Sequence, residues 1–132
     1  MLLAKNYENC DLIFGARHQI IQITEDLWVP GLFSYDIELY TNKKAVVLGK
    51  PGAELGDYLR TEFNDTKSER ILFIGDNLEM DIAFGKSLGY QTLLVLTGAS
   101  SYNDMINAPD EQRPDYYCDG TADFIQFFNE LK

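Results

Sequence analysis

The sequence predicts an α/β fold in which parallel strands alternate with helices, and three observations point to it. Continuous apolar runs at 71–74 and 92–96 are each bounded by turn residues, as expected of strands buried on both faces. A shorter apolar run at 45–48 ends in the same way. Amphipathic stretches at 52–63 and 79–88 follow the runs in alternation, and this order is typical of an α/β layer with right-handed crossovers.

The two ends of the chain are organised differently. Strand-like segments at 10–14 and 19–23 have no helix between them, so the first 31 residues are expected to belong to another layer or domain. The polar connection 97–114 predicts a surface loop with a short helix at 102–107. The segment 120–131 places its apolar residues on one face, which predicts a final amphipathic helix.

Composition excludes several classes of function. The 132 residues correspond to one ordinary domain, and 11 Lys and Arg against 21 Asp and Glu give a net charge of −10. A nucleic-acid partner needs a basic face, and no apolar run approaches the roughly 18 residues that cross a membrane. Cys10 and Cys118 lack metal-ligand spacing and predict reduced thiols. We therefore expect a cytoplasmic protein with neither a nucleic-acid nor a membrane partner.

Two carboxylates mark the end of the 71–74 strand. The strand runs into Gly75, Asp76 follows it, and Asp81 lies in the first turn of the next predicted helix. Ligands of open parallel sheets bind outside the carboxyl ends of the strands, and a carboxylate there is a suitable Mg²⁺ ligand. The alternative is that Asp76 and Asp81 simply cap the helix, where its dipole favours negative charge. These residues alone leave both interpretations open.

Lys50 supplies a second element of the pattern. It follows the 45–48 strand and precedes Pro51, which begins the next helix. A lysine beside a metal-bound carboxylate would neutralise a transferring phosphoryl group. Taken alone, Lys50 is a solvated surface residue; taken with Asp76 and Asp81, it indicates a phosphate-handling site.

Together these segments resemble the C-terminal part of haloacid dehalogenase-like phosphatases of the 4-nitrophenylphosphatase or phosphoglycolate phosphatase type, whose cap is inserted within the core. The segments that carry the resemblance are 47–51, 71–81, 89–98 and 114–119. The resemblance implies an α/β core with a partial Rossmann-like parallel sheet over residues 32–132. It also implies that residues 1–31 are the end of the cap domain.

The resemblance further implies a reaction and a role for each residue. The family hydrolyses phosphate monoesters through an aspartyl-phosphate with Mg²⁺ as cofactor, and a small phosphorylated metabolite is the expected substrate of the intact enzyme. Lys50 would be the catalytic lysine that contacts the phosphoryl group and the nucleophilic aspartate. Asp76 would be the metal ligand, and Asp81 the supporting acidic residue nearby.

The nucleophile itself is not in this sequence. The family carries it in an Asp-x-Asp-Gly motif after an early strand, and the nearest match here, Tyr117–Gly120, has tyrosine at the nucleophile position. We therefore expect the chain to be inactive alone, as a truncated product, a partial gene model or half of a longer enzyme. Without the nucleophile strand, the strand at 71–75 becomes an exposed edge, through which copies of the chain are expected to associate.

Two other functions stay open. The first is a non-catalytic module that binds Mg²⁺, phosphate or a partner protein through the same crevice. The second is a receiver-type phosphoacceptor domain modified at Asp76. The receiver ranks lower because its essential lysine follows the acceptor aspartate, whereas Lys50 precedes Asp76.

Overall fold

A computed structural model describes most of the chain. The described residues are 10–16, 20–22, 28–30 and 33–123. The chain divides into two compact units between Leu59 and Arg60. Among the helices of the described residues, none has both the length and the apolar character that crossing a membrane requires.

The first unit contains two pairs of strands. Its elements are β1 (Leu12–Phe14), β2 (Ile20–Gln22), β3 (Trp28–Pro30), α1 (Phe33–Thr41), β4 (Ala45–Val47) and α2 (Ala53–Glu62), whose last turn lies in the second unit. β1 and β4 are parallel, with Leu12 opposite Ala45, and β2 and β3 are antiparallel. The Leu48 N–H extends the first pairing by donating to the Phe14 carbonyl at 2.9 Å. β1 and β4 are therefore neighbours although α1 and the β2–β3 pair separate them in sequence.

The second unit is built on a parallel sheet. Its elements are β5 (Leu72–Gly75), α3 (Ala83–Ser87), β6 (Gln91–Val95), α4 (Tyr102–Asn107) and β7 (Tyr116–Cys118). The strand order is β5–β6–β7, with both pairs parallel, so each helix connects neighbouring parallel strands. The predicted α/β fold with a parallel sheet is confirmed.

The core of the second unit is built around β6, whose residues Leu93, Leu94 and Val95 are all buried. The buried cluster comprises Leu78, Ile82, Leu94, Met105 and Ala108. α3 packs closely on the sheet at Gly85, where an added Cβ would come within 2.9 Å of the Thr92 methyl group. Phe73 of β5 contacts Phe84 of α3 edge to face, with ring centroids 5.6 Å apart. These contacts hold α3 against β5 and β6, and the pairing of Gly75 with Leu94 aligns the two strands near their carboxyl ends.

β5 forms an edge of the described sheet. It pairs with β6 on one side, and no other strand of the described residues pairs with it. Leu72 and Ile74 are accordingly 38% and 46% exposed. The predicted exposed edge at 71–75 is therefore present in the described part of the chain.

The other helix predictions are confirmed in part. The segments 52–63 and 102–107 form α2 and α4. The segment 79–88 is helical, but its first turn, Leu78–Ile82, is a π-helical turn in which the Ile82 N–H donates to the Asn77 carbonyl. The predicted helix 120–131 lies outside the described residues beyond Asp123.

Helix α1 was not predicted. Its sequence mixes aromatic, β-branched and acidic residues without a clear apolar stripe, and Leu39 within it is 81% exposed. The placement of the cap boundary between residues 31 and 32 stays a prediction.

Candidate functional site

Asp76 lies in the loop that leaves the carboxyl end of β5. Its side chain is half-buried, and Oδ2 accepts a hydrogen bond from the Ala99 N–H at 3.0 Å. The close approach depends on Gly98, because a Cβ at that position would overlap the Asp76 carboxylate. Within the described residues no hydrogen bond to Oδ1 is found.

Asp81 lies behind Asp76 and supports the same loop. Its side chain is 3% exposed, and Oδ2 accepts hydrogen bonds from the backbone N–H groups of Asp76 at 3.2 Å and Asn77 at 3.1 Å. Gly75 makes this possible, since a Cβ there would overlap the Asp81 carboxylate. Asp81 therefore acts on the backbone that carries Asp76, which is a positioning geometry.

Asn77 begins the helical segment that follows. Its Oδ1 accepts hydrogen bonds from the N–H groups of Glu79 and Met80, both at 2.9 Å. This is an N-cap, and the helix-capping interpretation left open for Asp76 and Asp81 therefore belongs to Asn77 instead. Sequence reasoning missed this role, although asparagine just before a helix rich in acidic residues was a usable signal.

The loop after β6 also contacts the Asp76 segment, through Ser100. The Ser100 N–H donates to the Asp76 carbonyl at 2.9 Å, and the Ser100 hydroxyl accepts from the Leu78 N–H at 3.0 Å. Ser100 is 8% exposed, which makes it one of the few buried polar side chains of the described residues. Sequence analysis did not single out Ala99 or Ser100, because their partners lie more than twenty residues away in the chain.

Lys50 lies in the first unit, in a tight turn after β4. The Lys50–Pro51 peptide bond is cis, and the Gly52 N–H donates to the Gly49 carbonyl at 2.7 Å. Gly49 is packed against the backbone of Gly15, leaving no room for a Cβ. The structure brings Asp76 and Asp81 together in the second unit; that Lys50 joins them in one site stays a prediction.

The described residues offer few side chains that could bind a metal ion together. They hold no group of three or more His, Cys, Asp or Glu side chains arranged to bind a metal ion. Mg²⁺, however, is usually held by one or two carboxylates, with water and substrate phosphate completing its six ligands. A hard carboxylate oxygen at a fixed position is therefore a fitting donor, and Asp76 is the residue that offers it.

Among the described residues, the two groups with a shifted pKa lie elsewhere in the second unit. Burial raises the pKa of the Cys118 thiol above its ordinary value of 9.0, and the carboxylates of Asp123 and Asp119 raise it further. The Ser101 hydroxyl and amide hydrogen bonds lower the pKa of Asp104 below its ordinary 3.8. Cys10 and Cys118 are both free thiols.

Comparison with known proteins relates this arrangement to a family. Residues 47–124 match the family model described as HAD-hydrolase-like. Over 86 residues the chain is 37% identical to phosphoglycolate phosphatase 2 of Arabidopsis thaliana, spanning 65% of this chain and 28% of that protein.

Two solved structures are similar over more of the chain. The 4-nitrophenylphosphatase of Thermotoga maritima matches with a TM-score of 0.70 at 26% identity, covering 95% of this chain and 46% of that one. The glycerol phosphate phosphatase of Mycobacterium tuberculosis, in complex with magnesium, matches with a TM-score of 0.64 at 26% identity, covering 83% and 33%. This chain thus spans less than half the length of each of these three proteins.

Proposed function

This chain belongs to the haloacid dehalogenase-like (HAD-like) hydrolase family, and on that premise we propose that it is the C-terminal part of a Mg²⁺-dependent phosphate monoester hydrolase. The observation that carries the proposal is the fixed Asp76 carboxylate at the carboxyl end of β5, held by the Ala99 N–H and by a backbone that Asp81 supports. Similarity to phosphatases, one of them in complex with magnesium, supports the same assignment.

The proposed roles follow from position and charge. Asp76 binds the metal ion, and Asp81 holds the Asp76 backbone in place through its two amide hydrogen bonds. Lys50 places a positive charge against the phosphoryl oxygens and the nucleophilic carboxylate. Bound Mg²⁺ would neutralise the repulsion that otherwise keeps an anionic carboxylate from an anionic phosphate.

The nucleophile is proposed to come from a segment that these 132 residues do not contain. The sequence holds no Asp-x-Asp pair, which the family reaction uses for the nucleophile and the general acid/base. The exposed β5 edge supports this view, because Leu72 and Ile74 offer an apolar strand for pairing. The 132-residue chain alone is accordingly proposed to be inactive.

The substrate is proposed to be a small phosphorylated metabolite. The relatives are named for phosphoglycolate, glycerol phosphate and 4-nitrophenyl phosphate, all small monoesters. A net charge of −10 disfavours a nucleic-acid partner, since a polyanion would be repelled. The free thiols agree with the reducing cytoplasm that we propose as its location.

One observation favours a second candidate. Because the sequence lacks an Asp-x-Asp pair, a chain of this length would bind Mg²⁺ through Asp76, and phosphate or a partner protein through the same crevice, without turning over an ester. This is the non-catalytic binding module, and it uses the same carboxylate.

The mass and activity of the natural protein distinguish the two. We expect a species much heavier than 15.1 kDa, with Asp-x-Asp-Gly upstream of these residues, that hydrolyses 4-nitrophenyl phosphate with Mg²⁺ and stops when EDTA is added. A 15.1 kDa species that begins at Met1 and shows no hydrolysis would contradict the phosphatase and favour the binding module.

A further inference from the structure

The loop that follows β6 contacts the Asp76 segment at three points. The Ala99 N–H donates to Oδ2 of Asp76 at 3.0 Å, and the Ser100 N–H donates to the Asp76 carbonyl at 2.9 Å. The third contact is made by a side chain, because the Ser100 hydroxyl accepts from the Leu78 N–H at 3.0 Å. One short loop therefore holds the carboxylate, the carbonyl and the following backbone of the candidate metal ligand.

Both ends of this loop are anchored. β6 is the central strand of the described sheet, and its residues Leu94 and Val95 are 0% and 7% exposed. At the other end, α4 packs into the buried core cluster through Met105, which is 7% exposed. A loop fixed at both ends can transmit its position to the groups it binds, here the Asp76 backbone and carboxylate.

Ser100 is the side chain through which this support acts. Its hydroxyl is buried and binds the Leu78 N–H, which follows Asp76 and Asn77 in the chain. Removing the hydroxyl would leave a buried N–H without that partner, and the loop after β5 would be free to shift. Ala99 contributes only a backbone group, so Ser100 is where the support can be altered by substitution.

We propose that Ser100 is a positioning residue for the Asp76 carboxylate, which it holds in the orientation that binds a divalent cation. The proposal rests on the proposed function, since it concerns the same metal ligand. Partners of this kind, which orient a ligand without touching the metal, typically change metal affinity by about 10- to 100-fold when removed. Ser100 would thus act on the cation through Asp76 and never contact it.

Comparing the adjacent residues Ser100 and Ser101 distinguishes an effect on the position of Asp76 from a general effect on protein stability. Ser101 also uses its hydroxyl in a hydrogen bond, to the Asp104 N–H, but it caps α4 and does not contact the Asp76 segment. The test titrates Mg²⁺ into the 132-residue chain by calorimetry and follows the Ala99 amide by NMR. The variants are Ser100→Ala, Ser100→Thr, Ser101→Ala and Asp76→Asn.

We expect Ser100→Ala to weaken Mg²⁺ binding about tenfold and to shift the Ala99 amide signal, while Ser101→Ala leaves the affinity unchanged. Ser100→Thr, which keeps the hydroxyl, should restore most of the affinity. Equal affinity of Ser100→Ala and the wild type would overturn the proposal, as would equal loss in the Ala and Thr variants. Asp76→Asn tests the metal ligand separately from the role of Ser100. If Asp76→Asn binds Mg²⁺ as tightly as the wild type, or if the wild type does not bind Mg²⁺, the assignment of Asp76 as the metal ligand is contradicted.

Discussion

The backbone N–H of Asp76 donates to the carboxylate of Asp81 at 3.2 Å, so one acidic residue of the pair positions the other. The two carboxylates therefore differ in environment: Asp81 is 3% exposed and engaged with backbone amides, whereas Asp76 is half-buried at the carboxyl end of β5. This division of roles explains why a second acidic residue follows the proposed metal ligand by five positions.

Substituting Asp81 should lower the free energy of unfolding. Asp81→Ala removes the acceptor for the N–H groups of Asp76 and Asn77, and we expect the free energy of unfolding to fall by about 1–3 kcal/mol. Urea denaturation measures the change, with Glu79→Ala as the control because Glu79 is an exposed acidic residue in the same turn. Equal stability of the two variants would contradict the role assigned to Asp81.

Gly98 should tolerate no side chain. A Cβ at Gly98 would overlap the Asp76 carboxylate, so Gly98→Ala is expected to displace it, to lower stability by about 1–3 kcal/mol and to weaken Mg²⁺ binding. Gly15→Ala is the matched control, because a Cβ at Gly15 would have nothing within 4 Å. Urea denaturation and a Mg²⁺ titration of both variants test this. Unchanged stability and Mg²⁺ affinity in Gly98→Ala would contradict the close packing of Gly98 against the Asp76 carboxylate.

The capping box of α4 makes stability depend on pH in a defined direction. Hydrogen bonds from Ser101 lower the pKa of Asp104 below 3.8 in the folded state, so its contribution is present above 3.8 and is lost as the pH falls through the folded pKa. The wild type should therefore exceed Asp104→Ala in stability at neutral pH, and the difference should shrink well below pH 3.8. Thermal unfolding at both pH values checks this, and a difference that grows in acid would contradict it.

Cys118 should react slowly with alkylating agents. Burial and the carboxylates of Asp123 and Asp119 raise the pKa of its thiol, so in a Cys10→Ser background the rate of iodoacetamide labelling should have its pH midpoint above 9.0. Asp123→Asn should move the midpoint down, because one repelling charge is removed. A midpoint below 9.0 in the parent protein would show that the thiolate is stabilised instead.

The β5 edge is proposed to make copies of the 132-residue chain associate. Sedimentation velocity should show an apparent mass that rises with concentration, and Ile74→Lys should reduce the association because a lysine on an edge strand opposes pairing. Ile106→Lys is the control, since Ile106 is 51% exposed on α4, away from that edge. A monomer at all concentrations, or the same effect from both substitutions, would argue against the edge as the contact.

The sequence predicted the elements whose signals are local. The parallel strands β5 and β6 are continuous apolar runs, so composition and spacing sufficed to predict them. The short helix at 102–107 was also predicted and is α4. Asp76 was likewise located by the strand that ends just before it. The resemblance to a family then added roles that spacing alone left open.

The rest depends on contacts between distant parts of the chain. The bond between the Leu78 N–H and Ser100 joins residues 22 positions apart, and no local pattern encodes it. The pairing of β1 with β4 has the same character, because the β2–β3 pair and α1 separate the two strands in the sequence. The π-helical turn at Leu78–Ile82 was not predicted either. The support around Asp76 therefore became visible only in three dimensions.

Locating the cation on the chain would test most directly whether Asp76 is the metal ligand. With Mn²⁺ as a paramagnetic probe for the Mg²⁺ site, we expect the amide signals of Asp76, Asn77 and Ala99 to broaden first and excess Mg²⁺ to reverse the broadening. Asp76→Asn should abolish the broadening, whereas Glu79→Gln should not. Broadening centred elsewhere, or unchanged in Asp76→Asn, would contradict the assignment of Asp76 as the metal ligand.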